Sequence, residues 1–126
     1  MQQTSGHTLK AFDQDIDRLR ALISQMGGLA EHAIGEAMRC LIQRDADVAV
    51  QVCKRDDAVD DFYDSIFRTL LTHMMENPHN IGHATQLLFV AKHLERVGDH
   101  ATNIAEMVYY AATGQHMADR TRDESD

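Results

Sequence analysis

The chain has 126 residues and a formal net charge of −8, from 20 acidic against 12 basic side chains. That length holds one domain with a real core, not two, and the acidic balance disfavours nucleic acid and anionic membrane surfaces, whose phosphates need a basic face. Aromatic residues are 6% with no Trp, and one Pro among many Ala, Leu and Met favours long helices over a sandwich or barrel.

Residues 1–6 are polar and read as a flexible start. The first helix is expected over about 8–43. Leu9, Phe12, Ile16, Leu19, Ile23, Met26, Ala30, Ala33, Ala37 and Cys40 alternate in steps of three and four, the seam of a helical bundle. Its second half is built of alanines, so another helix can approach closely there. The Gly27-Gly28 pair costs an isolated helix about 1 kcal/mol per Gly relative to Ala. The seam continues in register beyond it, which predicts a bend or close packing rather than a break.

The polar stretch Arg44-Asp45-Ala46-Asp47 predicts the first turn. A second helix follows over about 46–76, with Ala49, Val52, Val59, Tyr63, Ile66 and Leu70 on its seam. The gap in that seam falls on Asp56, an acid where an apolar residue belongs. Glu76–Asn80 contains Pro78 and predicts the second turn, with Asn80 as N-cap of a third helix over about 80–112. The third seam is Ala84, Leu87, Ala91, Leu94, Gly98, Ala101, Ala105 and Val108, and Gly114 stands where a C-cap is expected. Residues 114–126 form an acidic tail that reads as disordered. Each helix is about 45 Å long at 1.5 Å per residue. Short connections make neighbours antiparallel. The expected fold is all-α: an up-down-up three-helix bundle occupying residues 7–113.

Two groups of acids break the seam rule. Asp56 and Asp60 lie four apart on the second helix, and Glu95, Asp99 and Asn103 make an i, i+4, i+8 stripe on the third, with Gly98 inside it. Like charges at that spacing repel. Converging on antiparallel helices, they would offer clustered oxygens to hard or borderline cations. Spacing alone fits equally well with a solvated acidic face on the second helix, and with Lys92 and Arg96 neutralising Glu95 and Asp99 as surface pairs.

Other chemistry finds less support. Glu76-Asn77-Pro78-His79 matches the Glu-x-x-His of di-iron bundles but spans the Pro turn. Gly27-Gly28 lacks the Lys-Ser/Thr of a phosphate loop, and no Ser sits in a nucleophile context. His79 and His83 form an i, i+4 pair that reads more simply as a solvated helix start. His73 falls on the seam and reads as a core or interface residue. Met26, Met38, Met74 and Met75 read as core filler. Cys40 and Cys53 are too few for a disulfide framework or a zinc site, suit a reducing compartment and read as free thiols. No run approaches the roughly 18 apolar residues of a membrane span, and MQQTSGHTLKAFDQD has no apolar signal region. A cytoplasmic protein without membrane insertion is expected.

The stretch Leu87–Glu106, LLFVAKHLERVGDHATNIAE, closely resembles the signature helix of the PhoU family, accessory regulators of phosphate-specific transport. Arg55–Asp60, RDDAVD, is similar to the family's second acidic motif, and the likeness runs from about His7 to Gly114. Members of that family are helical and bind multinuclear metal clusters through Glu/Asp-x-x-x-Asp motifs. The resemblance therefore implies metal ligation by Asp56, Asp60, Glu95 and Asp99, with Asn103 continuing the stripe, and leaves Fe, Zn, Mg, Mn or Ca open. It implies a non-enzymatic regulator of phosphate uptake and the phosphate-starvation response, an adaptor between the ATPase of a phosphate ABC importer and a sensor histidine kinase. The alternative kept beside it is a metal-storage or metal-dependent hydrolytic bundle. Family members carry two tandem three-helix repeats. Here there is one, whose start resembles the opening of a first repeat and whose second and third helices resemble the close of a second. A lone bundle exposes the surface that packs on its sister repeat, so a homodimer is expected.

Overall fold

The computed structural model describes residues 2–117. Helix α1 spans Gln2–Gln43, α2 Ala46–Glu76 and α3 Ile81–Thr113, with one 3-10 turn, Pro78–Asn80, ahead of α3. Each helix packs on the other two, which closes the expected three-helix bundle, and no strand occurs among the described residues. Helix α1 takes in Gln2–Gly6 as well, a stretch holding no Pro and only Gly6 against helix formation. Of the predicted acidic tail, residues 118–126 lie outside the described residues, as does the side chain of Leu9. No helix among the described residues is long and apolar enough to cross a membrane.

The predicted seams are the core. Phe12, Ile16, Leu19, Ile23, Met26, Val59, Ile66, Leu70, Ala84 and Ala91 form one buried cluster. Ala37, Cys40, Ala49, Val52, Ala101, Ala105, Val108 and Tyr109 form a second. The first is filled by large side chains, the second largely by alanines, which lets the helices close up there. Between the clusters lies a waist where α2 carries Asp56 and α3 carries Gly98. Gly27 gives close packing rather than a break: a Cβ there would stand 3.7 Å from Leu94 Cδ1, and α1 runs through it uninterrupted. Two methionines read as core filler are not. Met26 is fully buried, but Met75 is 79% exposed and Met38 43%; both sit off the seam, where the helix turns them outward.

The first turn is short. Arg44 adopts a left-handed conformation, φ 53°, which ends α1. Asp45 then caps α2, its Oδ1 accepting from the N–H groups of Asp47 and Val48 at 3.1 Å each. The second turn departs from expectation. Asn80 makes no capping bond to α3. Its Nδ2 donates instead to the His73 carbonyl at 3.3 Å. Asn77 caps the 3-10 turn ahead of α3, accepting from the His79 N–H at 3.0 Å. A side-chain cap needs an extended backbone at its own residue, and Asn80 is already helical, φ −80° and ψ −15°, so its side chain turns back to α2 instead. At the far end Gly114 is the predicted C-cap, φ 76°, donating to Tyr110 O at 2.7 Å.

His73 is the buried polar anchor at this end of the bundle. Its Nε2 lies 2.6 Å from Asp15 Oδ2, tying α2 to α1, and Phe12 meets it edge-on at 5.1 Å. His79 lies in the 3-10 turn and His83 in α3, so that pair does not share one helix. Cys40 and Cys53 are free thiols in and against the second core. Burial pushes Cys53 up to about 11 and raises Cys40, so both stay protonated.

Candidate metal centre

Helical spacing puts Asp56 and Asp60 on the edge of α2 that meets α3. Asp99 comes from α3, which runs the other way. Ligand oxygens of Asp56, Asp60 and Asp99 lie within 4.8 Å of one another. Three carboxylates from two helices at that distance repel strongly unless something positive sits among them.

Gly98 lets Asp56 come in. A Cβ on Gly98 would stand 3.1 Å from Asp56 Oδ1 and 3.5 Å from Val59 Cγ1. An alanine there would press on the carboxylate, which explains a glycine inside a helix that otherwise favours alanine. Oδ1 of Asp56 is buried and has no hydrogen-bond partner among the described residues. An orphaned carboxylate oxygen costs about 1–3 kcal/mol, more when charged. A cavity of about 20 Å³ adjoins it, lined by Leu29, Ala33, Val52 and Val59 with His32, Glu36 and Arg55 at its mouth. His32 and Arg55 hydrogen-bond each other there at 2.8 Å.

The electrostatics follow the geometry. Burial, then the neighbouring charges of Asp60, Asp99 and Asp57, push Asp56 from 3.8 up to about 6, against a weaker hydrogen bond from Thr102. Asp60 is also raised, by burial and then by Glu95 and Asp99. Both shifts report crowded, partly dry anions, and both reverse when a cation binds.

The sequence-predicted residues divide. Asp56, Asp60 and Asp99 converge. Glu95 is close enough to act on Asp60, but its Oε1 holds Lys92 Nζ at 2.6 Å. Asn103 is exposed one turn beyond and lines a separate surface hollow with Glu106, Tyr110 and His116. Reasoning from sequence missed Thr102 as a partner of Asp56. Its position three after Asp99 on the same helical edge was the available signal.

The donor set fits a hard cation. It is all oxygen, has an unpartnered buried acceptor, and is flanked by a glycine where a side chain would intrude. Asp56, Asp60 and Asp99 would hold the ion, with Glu95 within reach if it released Lys92. A bound ion would supply positive charge and open coordination positions for an oxyanion. The fold and this site together define a class: an all-helical bundle that presents carboxylates from two helices at one waist.

Residues 23–108 match the PhoU domain. The chain belongs to the PhoU family. It is 47% identical over 97 residues to a phosphate-specific transport system accessory protein PhoU homolog of Zymomonas mobilis, covering 77% of this chain and 41% of that protein. Homologs of the same name are 45% identical over 95 residues in Caulobacter vibrioides (75% of this chain, 41% of that protein) and 45% over 103 residues in Rhizobium meliloti (81% and 44%). The chain thus spans about two fifths of the length of these relatives.

Proposed function

We propose that this chain is a non-enzymatic regulator of phosphate uptake and of the response to phosphate starvation, with a carboxylate-held metal ion at its waist. The observation that carries the metal half is the convergence of Asp56, Asp60 and Asp99 around an orphaned Asp56 oxygen. The regulatory half rests on membership of the PhoU family and on relatives named as accessory proteins of phosphate-specific transport. In this reading the chain works in the cytoplasm as an adaptor between the ATPase of a phosphate ABC importer and a sensor histidine kinase. Metal binding offsets repulsion among the acids and locks α2 to α3. Glu95 and Asn103 stand as outer members of the set.

A second bundle completes the molecule in this reading. Ile34 and Leu41 of α1 are 42% and 50% exposed. Leu41 borders a hollow with Val108, Ala111 and Ala112 of α3. This apolar α1/α3 side suits another copy of the chain, as a homodimer.

The test is complementation. In a bacterium lacking its own PhoU-type regulator, the expressed chain represses alkaline phosphatase in high phosphate. High activity from a folded chain at normal abundance overturns the regulatory reading. The metal reading is tested on purified protein: Asp99→Asn loses bound metal by elemental analysis while helicity by circular dichroism is kept. Unchanged stoichiometry removes the site.

A further inference from the structure

The outer groove between α2 and α3 continues past the acids. One turn from Asp60, Tyr63 carries Lys92 Nζ 5.0 Å from its ring centroid. Tyr63 in turn meets Phe67, centroids 6.2 Å apart. Lys92 bonds Glu95, and Glu95 acts on Asp60. These contacts lace one strip along both helices, acidic at the waist and apolar beyond Lys92. Helical spacing extends the apolar end to Leu71, four after Phe67, and the same edge of α3 reaches Ile81 near its start, about one turn beyond the level of Leu71.

Phe67, Leu71 and Ile81 are 39%, 43% and 45% exposed. Large apolar side chains left half in water along one groove mark a contact surface more than a solvated face. The acids at the other end say what kind of partner fits. A second copy already has the α1/α3 side to pack on, and in this groove it would bring its own Asp60 and Asp99 to the contact. A basic surface is a good partner.

We propose that this groove docks a basic amphipathic segment of a partner protein. Its apolar side chains pack on Phe67, Leu71 and Ile81, and its Lys or Arg side chains reach Asp60 and Asp99. The seven residues from Phe67 back to Asp60 span about 10 Å at 1.5 Å per residue. A helical partner therefore presents its basic residues about two turns from its apolar anchors. The surface rests on the adaptor reading and gives it a place and a chemistry; it uses Asp60 and Asp99 as free charge, so a cation held there would compete with the partner's basic side chains.

The test uses two synthetic 18-residue helical peptides with the same Leu anchors, one carrying Lys two turns along and the other Glu. Binding is read by fluorescence anisotropy with EDTA present. The Lys peptide binds at least tenfold more tightly than the Glu peptide, and its affinity falls as salt rises. Leu71→Asp weakens it at least fivefold, as does Asp60→Asn with Asp99→Asn, with helicity retained; Phe67→Asp serves as a second groove variant. Equal binding of the two peptides, or full binding by both groove variants, overturns the proposal. So does self-association that Leu71→Asp abolishes in a chain that ignores the peptide, which gives the groove to a second copy. Binding to phosphatidylglycerol vesicles in place of the peptide gives it to a lipid surface and overturns it equally. Because the assay is metal-free and needs no cell, its failure is distinguishable from failure of the complementation or metal tests.

Discussion

Asp56 is the residue on which the site turns. Its carboxyl stands at about 6, against an ordinary 3.8. The folded chain therefore keeps this proton at a pH where the unfolded chain has lost it. Stability from this group is complete below 3.8 and drains away as pH rises through about 6. In metal-free protein Asp56→Asn raises the melting temperature at pH 7.5, by the equivalent of about 1 kcal/mol, because a crowded charge disappears. The gain shrinks towards nothing at pH 4, where wild type is already protonated. A melt at both pH values checks the sign. Added metal reverses the order at pH 7.5: wild type rises and Asp56→Asn does not. Gly98→Ala follows the same logic. Helix propensity gains about 1 kcal/mol, but the new methyl presses on Asp56 Oδ1, and the metal-induced rise in melting temperature is lost or sharply reduced. Much of this was legible in the sequence, because an Asp on a seam of Val, Ile and Leu is conspicuous, and so is a Gly opposite. Which carboxylates converge was not. Glu95, Asp99 and Asn103 share one stripe, and only the register of α3 against α2 sets Asp99 beside Asp56 and Asp60 while leaving Asn103 a turn away.

At the scale of the helix, three-four periodicity sustained through each segment made the architecture readable. Tertiary packing reinforces that period, since each seam has two others to face. The ends were less readable. Asp45 caps α2 through its side chain, and Asp45→Ala costs about 1 kcal/mol in a denaturant titration, with the slope unchanged. Asn80 looked like a cap by its position before an apolar run. Its amide reaches back to the His73 carbonyl instead, and Asn77 caps the 3-10 turn ahead of it. That choice depends on the 3-10 turn, which brings Asn80 into a helical backbone before α3 begins, and no local pattern encodes it. The Asp15–His73 bond belongs to this end as well. It ties residues 58 apart in sequence, so Asp15→Ala, which leaves a buried imidazole without its partner, costs about 2 kcal/mol in the same titration.

For the molecule as a whole, the α1/α3 side predicts association. Sedimentation equilibrium gives twice the chain mass at micromolar concentration, and Ile34→Asp with Leu41→Asp gives the monomer; a monomeric wild type contradicts the homodimer. The bundle has a further property that follows from its two cores. One cluster, rich in Leu, Ile and Phe, ends at Val59 and Ala91, and the other, rich in Ala, begins at Val52 and Ala101. What joins them is a charged side chain, a glycine and a small cavity. Cooperative unfolding spreads through continuous apolar contact, and here that continuity is interrupted at mid-height. Native-state hydrogen exchange at neutral pH therefore resolves two protection classes along every helix, with the alanine-rich end opening at lower free energy. Replacing Asp56 with Leu restores continuity, and the two classes merge into one. The three rods, each unbroken from end to end, would then melt as a single unit, where the natural chain behaves as two short bundles threaded on the same helices.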